Sequence, residues 1–235
     1  VDMTDVGEMS VFFDDDQLRS LGEKVEKTGY LEGNEMAGMF NMMRENDLVW
    51  SFVVNNYLMG KDPVPFDLLY WNADATRMPA KMIVEYLTDF YRDNAFMDPG
   101  HITVDGHAID VRKIKTPTYM LATKEDHIAP WKACYAGVTH FSGPKKFVLG
   151  ASGHIAGIVN PPQKKKYCHW INKSRKVFKN PDDWLQGAER YDGSWWSDWE
   201  QWISKKSGVK VPAREPSKKK KLGDAPGQYV HVRAD

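Results

Sequence analysis

Thr118-Tyr119-Met120-Leu121-Ala122 and Phe147-Val148-Leu149 are short apolar runs, each followed by a loop with ionisable residues. The first loop is Lys124-Glu125-Asp126-His127-Ile128-Ala129-Pro130, and the second is Ser152-Gly153-His154. Runs of this length and β-rich make-up read as buried strands. Asp126 and His154 then sit just past two strand carboxyl ends, and in an open α/β sheet that edge is where sites are built.

An acid followed by a histidine, on successive strand ends, matches the last two members of an α/β-hydrolase triad. The nucleophile should come earlier, in a Gly-x-Ser/Cys-x-Gly elbow between a strand and a helix. No such pentapeptide occurs in the sequence. The expected fold is therefore α/β: a partial α/β-hydrolase fold, the C-terminal half of the core with a helical lid or cap. The chain reads as the C-terminal part of an enzyme, and its start at Val1 fits a sequence that begins mid-protein.

The two cysteines, Cys134 and Cys168, argue against a disulfide framework and fit a reducing compartment. Neither has the flanking glycines of a strained elbow, so both read as ordinary thiols rather than the nucleophile. With 235 residues, 42% of them hydrophobic, the chain can build one substantial core, or a core plus a lid. No apolar stretch approaches the roughly 18 residues a membrane span needs, and the first residues lack the pattern of a signal peptide, so a cytoplasmic location is expected.

Formal charge balances at 32 acidic and 32 basic residues, but the first hundred positions hold 19 acidic against 8 basic. The rest is basic. The runs Lys164-Lys165-Lys166 and Lys218-Lys219-Lys220-Lys221 are short and read as solvated surface rather than an anion or nucleic-acid contact.

Residues 1 to 69 read as the lid segment, 70 to 203 as the C-terminal part of the core, and 204 to 235 as a basic linker with a terminal arm. Met36, Met39, Phe40 and Met43 fall on one helical face. That is an ordinary core stripe or the adaptable face of a moving cap. Phe66 to Trp71 is a short apolar run, and Asn72-Ala73-Asp74 a turn-like cluster. Met82, Ile83, Tyr86, Leu87 and Phe90 make another helix face.

Asp105-Gly106, between Ile102-Thr103-Val104 and His107-Ala108-Ile109, signals a hairpin with a type I′ turn. After Asn160-Pro161-Pro162 two further helices are expected. The first starts with Asn180 as cap and Pro181 in its first turn. In the second, Ser197 and Glu200 form a capping box amid Trp195, Trp196, Trp199 and Trp202, which read as core packing or a partner surface. Gly227 to Val232 reads as a terminal strand or arm.

An imidazole can take and return a proton near neutral pH, and His154 suits that role toward a nucleophile. Asp126 would orient the ring and stabilise its charged form. His127 reads as structural, and the remaining histidines lack metal-ligand spacing, so no metal is expected.

Several ordered strings resemble polyhydroxyalkanoate synthases of the class I, single-subunit type. They are Asn46-Asp47-Leu48-Val49-Trp50, Pro65 to Asn72, Glu125-Asp126-His127-Ile128, Phe147 to Gly157, Asn160-Pro161-Pro162, Gly193-Ser194-Trp195-Trp196 and Pro226 to Val230. The resemblance implies a cytoplasmic acyltransferase at polyester granules. Such an enzyme polymerises (R)-3-hydroxyacyl-CoA with release of CoA, it works as a homodimer through the lid, and no dissociable cofactor is implied.

It further implies a Cys-His-Asp triad in which Asp126 and His154 are the acid and base. The family's Gly-x-Cys-x-Gly box has no counterpart here, so this chain alone is expected to be inactive. Trp71 matches a tryptophan near the site, while Arg44 and Asn94 match positions at the CoA entrance. A guanidinium at Arg44 suits a phosphate, although a solvated helix charge is the simpler reading. The alternatives are an α/β-hydrolase or polyester depolymerase, or a non-catalytic granule-binding or dimerisation fragment.

Overall fold

The computed structural model describes residues 1–4, 7, 13–35, 38, 49–62, 75–174, 176–215 and 223–232. In chain order the strands are β1 (Tyr30–Leu31), β2 (Met78–Pro79), β3 (Thr103–Val104), β4 (His107–Ala108), β5 (Thr118–Thr123), β6 (Lys145–Gly150), β7 (Cys168–Ile171) and β8 (Glu189–Asp192). The α-helices are α1 (Asp15–Thr28), α2 (Ala80–Glu85), α3 (Trp131–Thr139), α4 (Pro181–Gln186) and α5 (Trp196–Ser204).

The chain forms two compact units, one of Val1–Lys24 with Lys81–Ser207 and one of Val25–Ala80 with Gly208–Asp235. In the second unit, β1 and β2 pair antiparallel, Tyr30 opposite Pro79. Arg77 lies over the Tyr30 ring at 4.6 Å and donates from Nε to Glu32 Oε2 at 3.1 Å. The methionine stripe at 36–43, the run 66–71 and the turn-like cluster at 72–74 lie outside the described residues.

The first unit is α/β, built on a four-stranded mixed sheet of order β5-β6-β7-β8. β5 and β6 run parallel, from Thr118 opposite Lys145 to Thr123 opposite Gly150. The other two pairings are antiparallel. A parallel pair needs a crossover, and α3 lies in that connection. Along β6 the period of two divides the side chains between two covers.

Phe147 and Leu149 join Ala122, Trp131, Cys134, Tyr135, Val138 and Trp184 in one core. Phe147 meets Trp184 edge-on at 5.0 Å and Tyr135 at 5.1 Å. On alternate positions Lys146 Nζ donates to Asp198 Oδ1 of α5 at 2.6 Å, and Tyr119 Oη to Asp198 Oδ2 at 2.9 Å. With both faces covered, the middle of β6 reads as a continuous apolar run, as expected for a doubly packed strand.

Asp105 and Gly106 both take positive φ, 49° and 76°, in a two-residue turn between β3 and β4. That is the hairpin the Asp-Gly pair announced. Asn180 Oδ1 accepts from Asp182 N at 2.9 Å, capping α4 with Pro181 inside its first turn. The helix over Met82 to Phe90 begins as α2 and continues as π-helical turns from Tyr86 to Arg92. Ile83 is buried but Met82 is exposed, so the expected apolar face is only partly covered.

Two expectations need correction, and one region holds more than the sequence announces. The helix near Ser197 is α5, which starts at Trp196, so Ser197 lies inside it and no capping box forms. Instead Ser194 Oγ accepts from Trp196 N at 3.1 Å. Residues 229–231 form a single 3-10 turn rather than a strand. The region after Asn160 holds two strands beside its helices, and β7 and β8 went unread because Cys168-His169-Trp170-Ile171 is short and Glu189-Arg190-Tyr191-Asp192 is mostly charged. Charge is what an edge strand carries to discourage further pairing.

His169 in β7 is buried, stacks on Tyr191 at 5.6 Å and has Nδ1 3.2 Å from the Gly193 carbonyl. Burial holds its pKa below the ordinary 6.5. The unfolded chain takes up this proton first as pH falls, so stability should drop below about pH 6.5, by at most ~1.4 kcal/mol per pH unit. Urea unfolding from pH 7.5 to 5 should show this decline, and His169→Phe should flatten it; an unchanged slope in the variant would contradict the assignment.

Candidate active site

The end of β5 and the end of β6 are laced together beyond the strands. Lys124 N donates to Gly150 O at 2.8 Å, and Glu125 N to Ser152 O at 3.1 Å. These bonds bring the acidic loop and the histidine loop side by side. A further bond, Asp126 N to Thr123 O at 3.2 Å, turns the chain so that the Asp126 carboxylate faces the second loop.

One carboxylate oxygen is spent on its own loop: Asp126 Oδ1 accepts from Ile128 N and Ala129 N, each at 2.9 Å. This is the Asx arrangement by which an aspartate fixes a turn, here just ahead of α3. The other oxygen, Oδ2, lies 2.8 Å from His154 Nδ1 and 3.5 Å from the buried Thr123 hydroxyl. The Asp126 side chain is 7% exposed and that of His154 46%. A carboxylate pinned in the protein therefore meets an imidazole open to solvent.

An Nδ1–H donated to the carboxylate leaves the Nε2 lone pair available as a proton acceptor. The arrangement can orient a base and stabilise its charged form. Close approach behind the histidine depends on Gly157. A Cβ there would overlap the Ala151 carbonyl oxygen and the Thr123 methyl group. Ser152 holds a left-handed φ of 71°, an uncommon conformation for a non-glycine residue, at the entry to the loop.

The structure thus brings together Asp126 and His154. Arg44 and Trp71 lie outside the described residues. Asn94 sits in a left-handed conformation and binds residues 2–4, with Nδ2 donating to Asp2 Oδ1 at 2.8 Å and Oδ1 accepting from Met3 N at 3.0 Å. Both cysteines are buried. Burial also pushes the Cys134 thiol up from its ordinary 9.0, which disfavours the reactive thiolate.

Among the described residues no three His, Cys, Asp or Glu side chains gather as a metal site. None of their helices is long and apolar enough to cross a membrane. A cleft of about 730 Å³ opens elsewhere, between β6, β7, β8 and α5, and neither Asp126 nor His154 lines it. Sequence reading missed Thr123, the amides of Ile128 and Ala129, and Gly157. Only Gly157 left a trace in the sequence, as the second glycine of Gly153-His154-Ile155-Ala156-Gly157.

Fold and pair together define an α/β protein whose strand ends carry an Asp–His couple. No family model matches the chain. Curated relatives do match it, along its whole length. The poly(3-hydroxyalkanoate) polymerase subunit PhaC of Rhizobium meliloti (strain 1021) is 46% identical over 235 residues, which are 100% of this chain and 38% of the relative. The corresponding subunit of Cupriavidus necator is 43% identical, with 100% of this chain and 41% of the relative covered. The polymerase of Methylorubrum extorquens is 44% identical, with 100% and 39% covered.

Along its whole length the chain is thus similar to polyhydroxyalkanoate polymerases. It spans about two-fifths of their length.

The packing behind His154 yields a contrast between two glycines. Gly157→Ala should destabilise the chain by about 1–3 kcal/mol because backbone and β5 must move apart. At Gly153 the nearest atom to an added Cβ is Glu125 O at 3.8 Å, an ordinary contact. Gly153→Ala should stay within about 0.5 kcal/mol of the parent. Urea denaturation of both variants checks this, and equal effects would reject the close-packing argument.

Proposed function

We propose that the intact protein is an acyltransferase that polymerises (R)-3-hydroxyacyl-CoA into polyhydroxyalkanoate and releases CoA. The observation that carries the reading is the 2.8 Å bond between Asp126 and His154 at the ends of β5 and β6. The names of the curated relatives, all poly(3-hydroxyalkanoate) polymerases, supply the substrate class. In this reading the fold is the C-terminal half of an α/β-hydrolase core, residues 1–69 belong to a lid, and a Gly-x-Cys-x-Gly box outside this chain provides the nucleophile.

The chemistry follows from the couple. His154 Nε2 removes the thiol proton, and the thiolate attacks the thioester carbonyl to form an acyl-enzyme. The proton then passes from the imidazolium to the departing CoA thiolate. For elongation the same nitrogen takes the proton of the 3-hydroxyl of an incoming acyl-CoA as that oxygen attacks the acyl-enzyme carbonyl; the C–S bond to the enzyme breaks, the imidazolium returns the proton to the freed thiolate, and the lengthened acyl-CoA can acylate that thiol again. Throughout, Asp126 keeps the Nδ1–H tautomer and offsets the charge that develops on the ring.

Arg44, Trp71 and Asn94 belong, in this proposal, to the approach taken by the acyl-CoA. A guanidinium fork at Arg44 matches a phosphate of CoA. The product keeps the protein at the surface of a polyester granule in the cytoplasm, and two copies associate through the lid.

In the intact protein, CoA release and polymer formation should be followed together with 3-hydroxybutyryl-CoA as substrate. His154→Gln and Asp126→Asn should each lower the turnover number by about 10²–10⁴. Free hydroxy acid without polymer would overturn the polymerase assignment in favour of a hydrolase. Near-normal turnover in both variants would remove the couple from the chemistry.

A further inference from the structure

The carbonyl oxygen of Ile158 receives indole N–H groups from two successive residues: Trp195 Nε1 at 3.2 Å and Trp196 Nε1 at 3.0 Å. The backbone amide of Asn160 closes on the same oxygen at 3.0 Å. Ile158 lies in the turn that follows His154, where Ile158 N and Val159 N both donate to Ile155 O, at 3.1 and 2.8 Å. A backbone carbonyl has two lone pairs, so with two indoles and the Asn160 amide this oxygen is fully engaged. Burial of the rings does not require this, since Trp196 is 36% exposed and its N–H could be hydrated instead.

The platform that carries the indoles is itself fixed. Gly193 N donates to Tyr167 O at 2.9 Å, Ser194 Oγ accepts from Trp196 N, and Trp195 packs against Tyr119 of β5 with ring centres 6.2 Å apart. The histidine loop is thus held at both ends. Its start is tied to the acid's loop through Glu125 N and Ser152 O, and its end hangs on the two tryptophans. Between these anchors, among the described residues, the Gly157 N to Gly153 O bond, at 3.1 Å, and the Ile155 turn hold the backbone around His154, with Gly157 packed closely against Ala151 and Thr123.

We infer that Trp195 and Trp196 are positioning residues for His154. Their indole N–H groups hold the far end of the histidine loop so that Nδ1 stays on Asp126, and neither touches substrate. The inference rests on the proposed role of His154 as the base. It assigns the tryptophan pair a function apart from core packing, and it locates that function in two hydrogen atoms.

The test replaces both tryptophans, in the intact protein, by β-(3-benzothienyl)alanine, which keeps the bicyclic shape and deletes only the N–H. With CoA release and polymer as readouts, and rates referred to the initial burst of CoA per folded site, kcat should fall about tenfold, the scale of two neutral hydrogen bonds. KM for the acyl-CoA should stay within about twofold, because a misplaced base slows chemistry rather than binding. Restoring either tryptophan should recover part of the rate.

An unchanged kcat overturns the inference, as does a change confined to KM or to the thermal midpoint. His154→Gln, measured alongside, separates the failures. Near-normal turnover in that variant overturns the reading of the site and this inference with it, whereas an inactive His154→Gln beside an unaffected double analogue overturns the tryptophan clamp alone.

Discussion

The parallel pairing of β5 with β6 is the constraint on which the candidate site depends. Parallel strands emerge at the same edge of a sheet, so the loops that follow them become neighbours whatever their sequences. Here the pairing continues past the strands through Lys124 to Gly150 and Glu125 to Ser152. The two loops are then close enough for a carboxylate and an imidazole to meet at 2.8 Å. A slip of one residue in this register would send Asp126 to the other side of its turn, and the bond could not form.

Holding that register falls to two unlike covers. On one side aromatic rings interlock: Tyr135 and Trp184 each meet Phe147 edge-on, in the same core as the fully buried Leu149. On the other a carboxylate, Asp198, ties β5 and β6 to α5 through Tyr119 and Lys146. Burial and the neighbouring Asp198 charge raise the pKa of the Tyr119 hydroxyl, so it stays a donor across the physiological range. Apolar packing sets the depth of the strands, and the polar bridge sets their alignment, since hydrogen bonds are directional and dispersion contacts are not.

The same physics separates the Asp126–His154 couple from the core. The Asp126 side chain is largely covered yet satisfied by two backbone amides and the imidazole, whereas His154 keeps nearly half of its side chain exposed. The cysteines take the opposite arrangement. Cys134 belongs to the α3 core, its Sγ 3.6 Å from Ala129 O, where desolvation keeps it a thiol. A nucleophile needs the thiolate and an open approach, and that core offers neither.

The sequence by itself determined the elements whose signals are local. The apolar runs at 118–122 and 147–149, the Asp105-Gly106 turn and the Asn180-Pro181 helix start were all legible, because each depends on the conformational preferences of a few adjacent residues. The order of Asp126 and His154 after successive strands was legible for the same reason, and it pointed to the couple before any distance was known. Only the tertiary structure decided the rest. It revealed β7 and β8 as sheet members, put Ser197 inside α5, drew Gly157 against Thr123 and aimed two indoles at one carbonyl. Those outcomes depend on groups brought close by the closing of the sheet, and a linear pattern of residues carries no record of which donor reaches which acceptor across space.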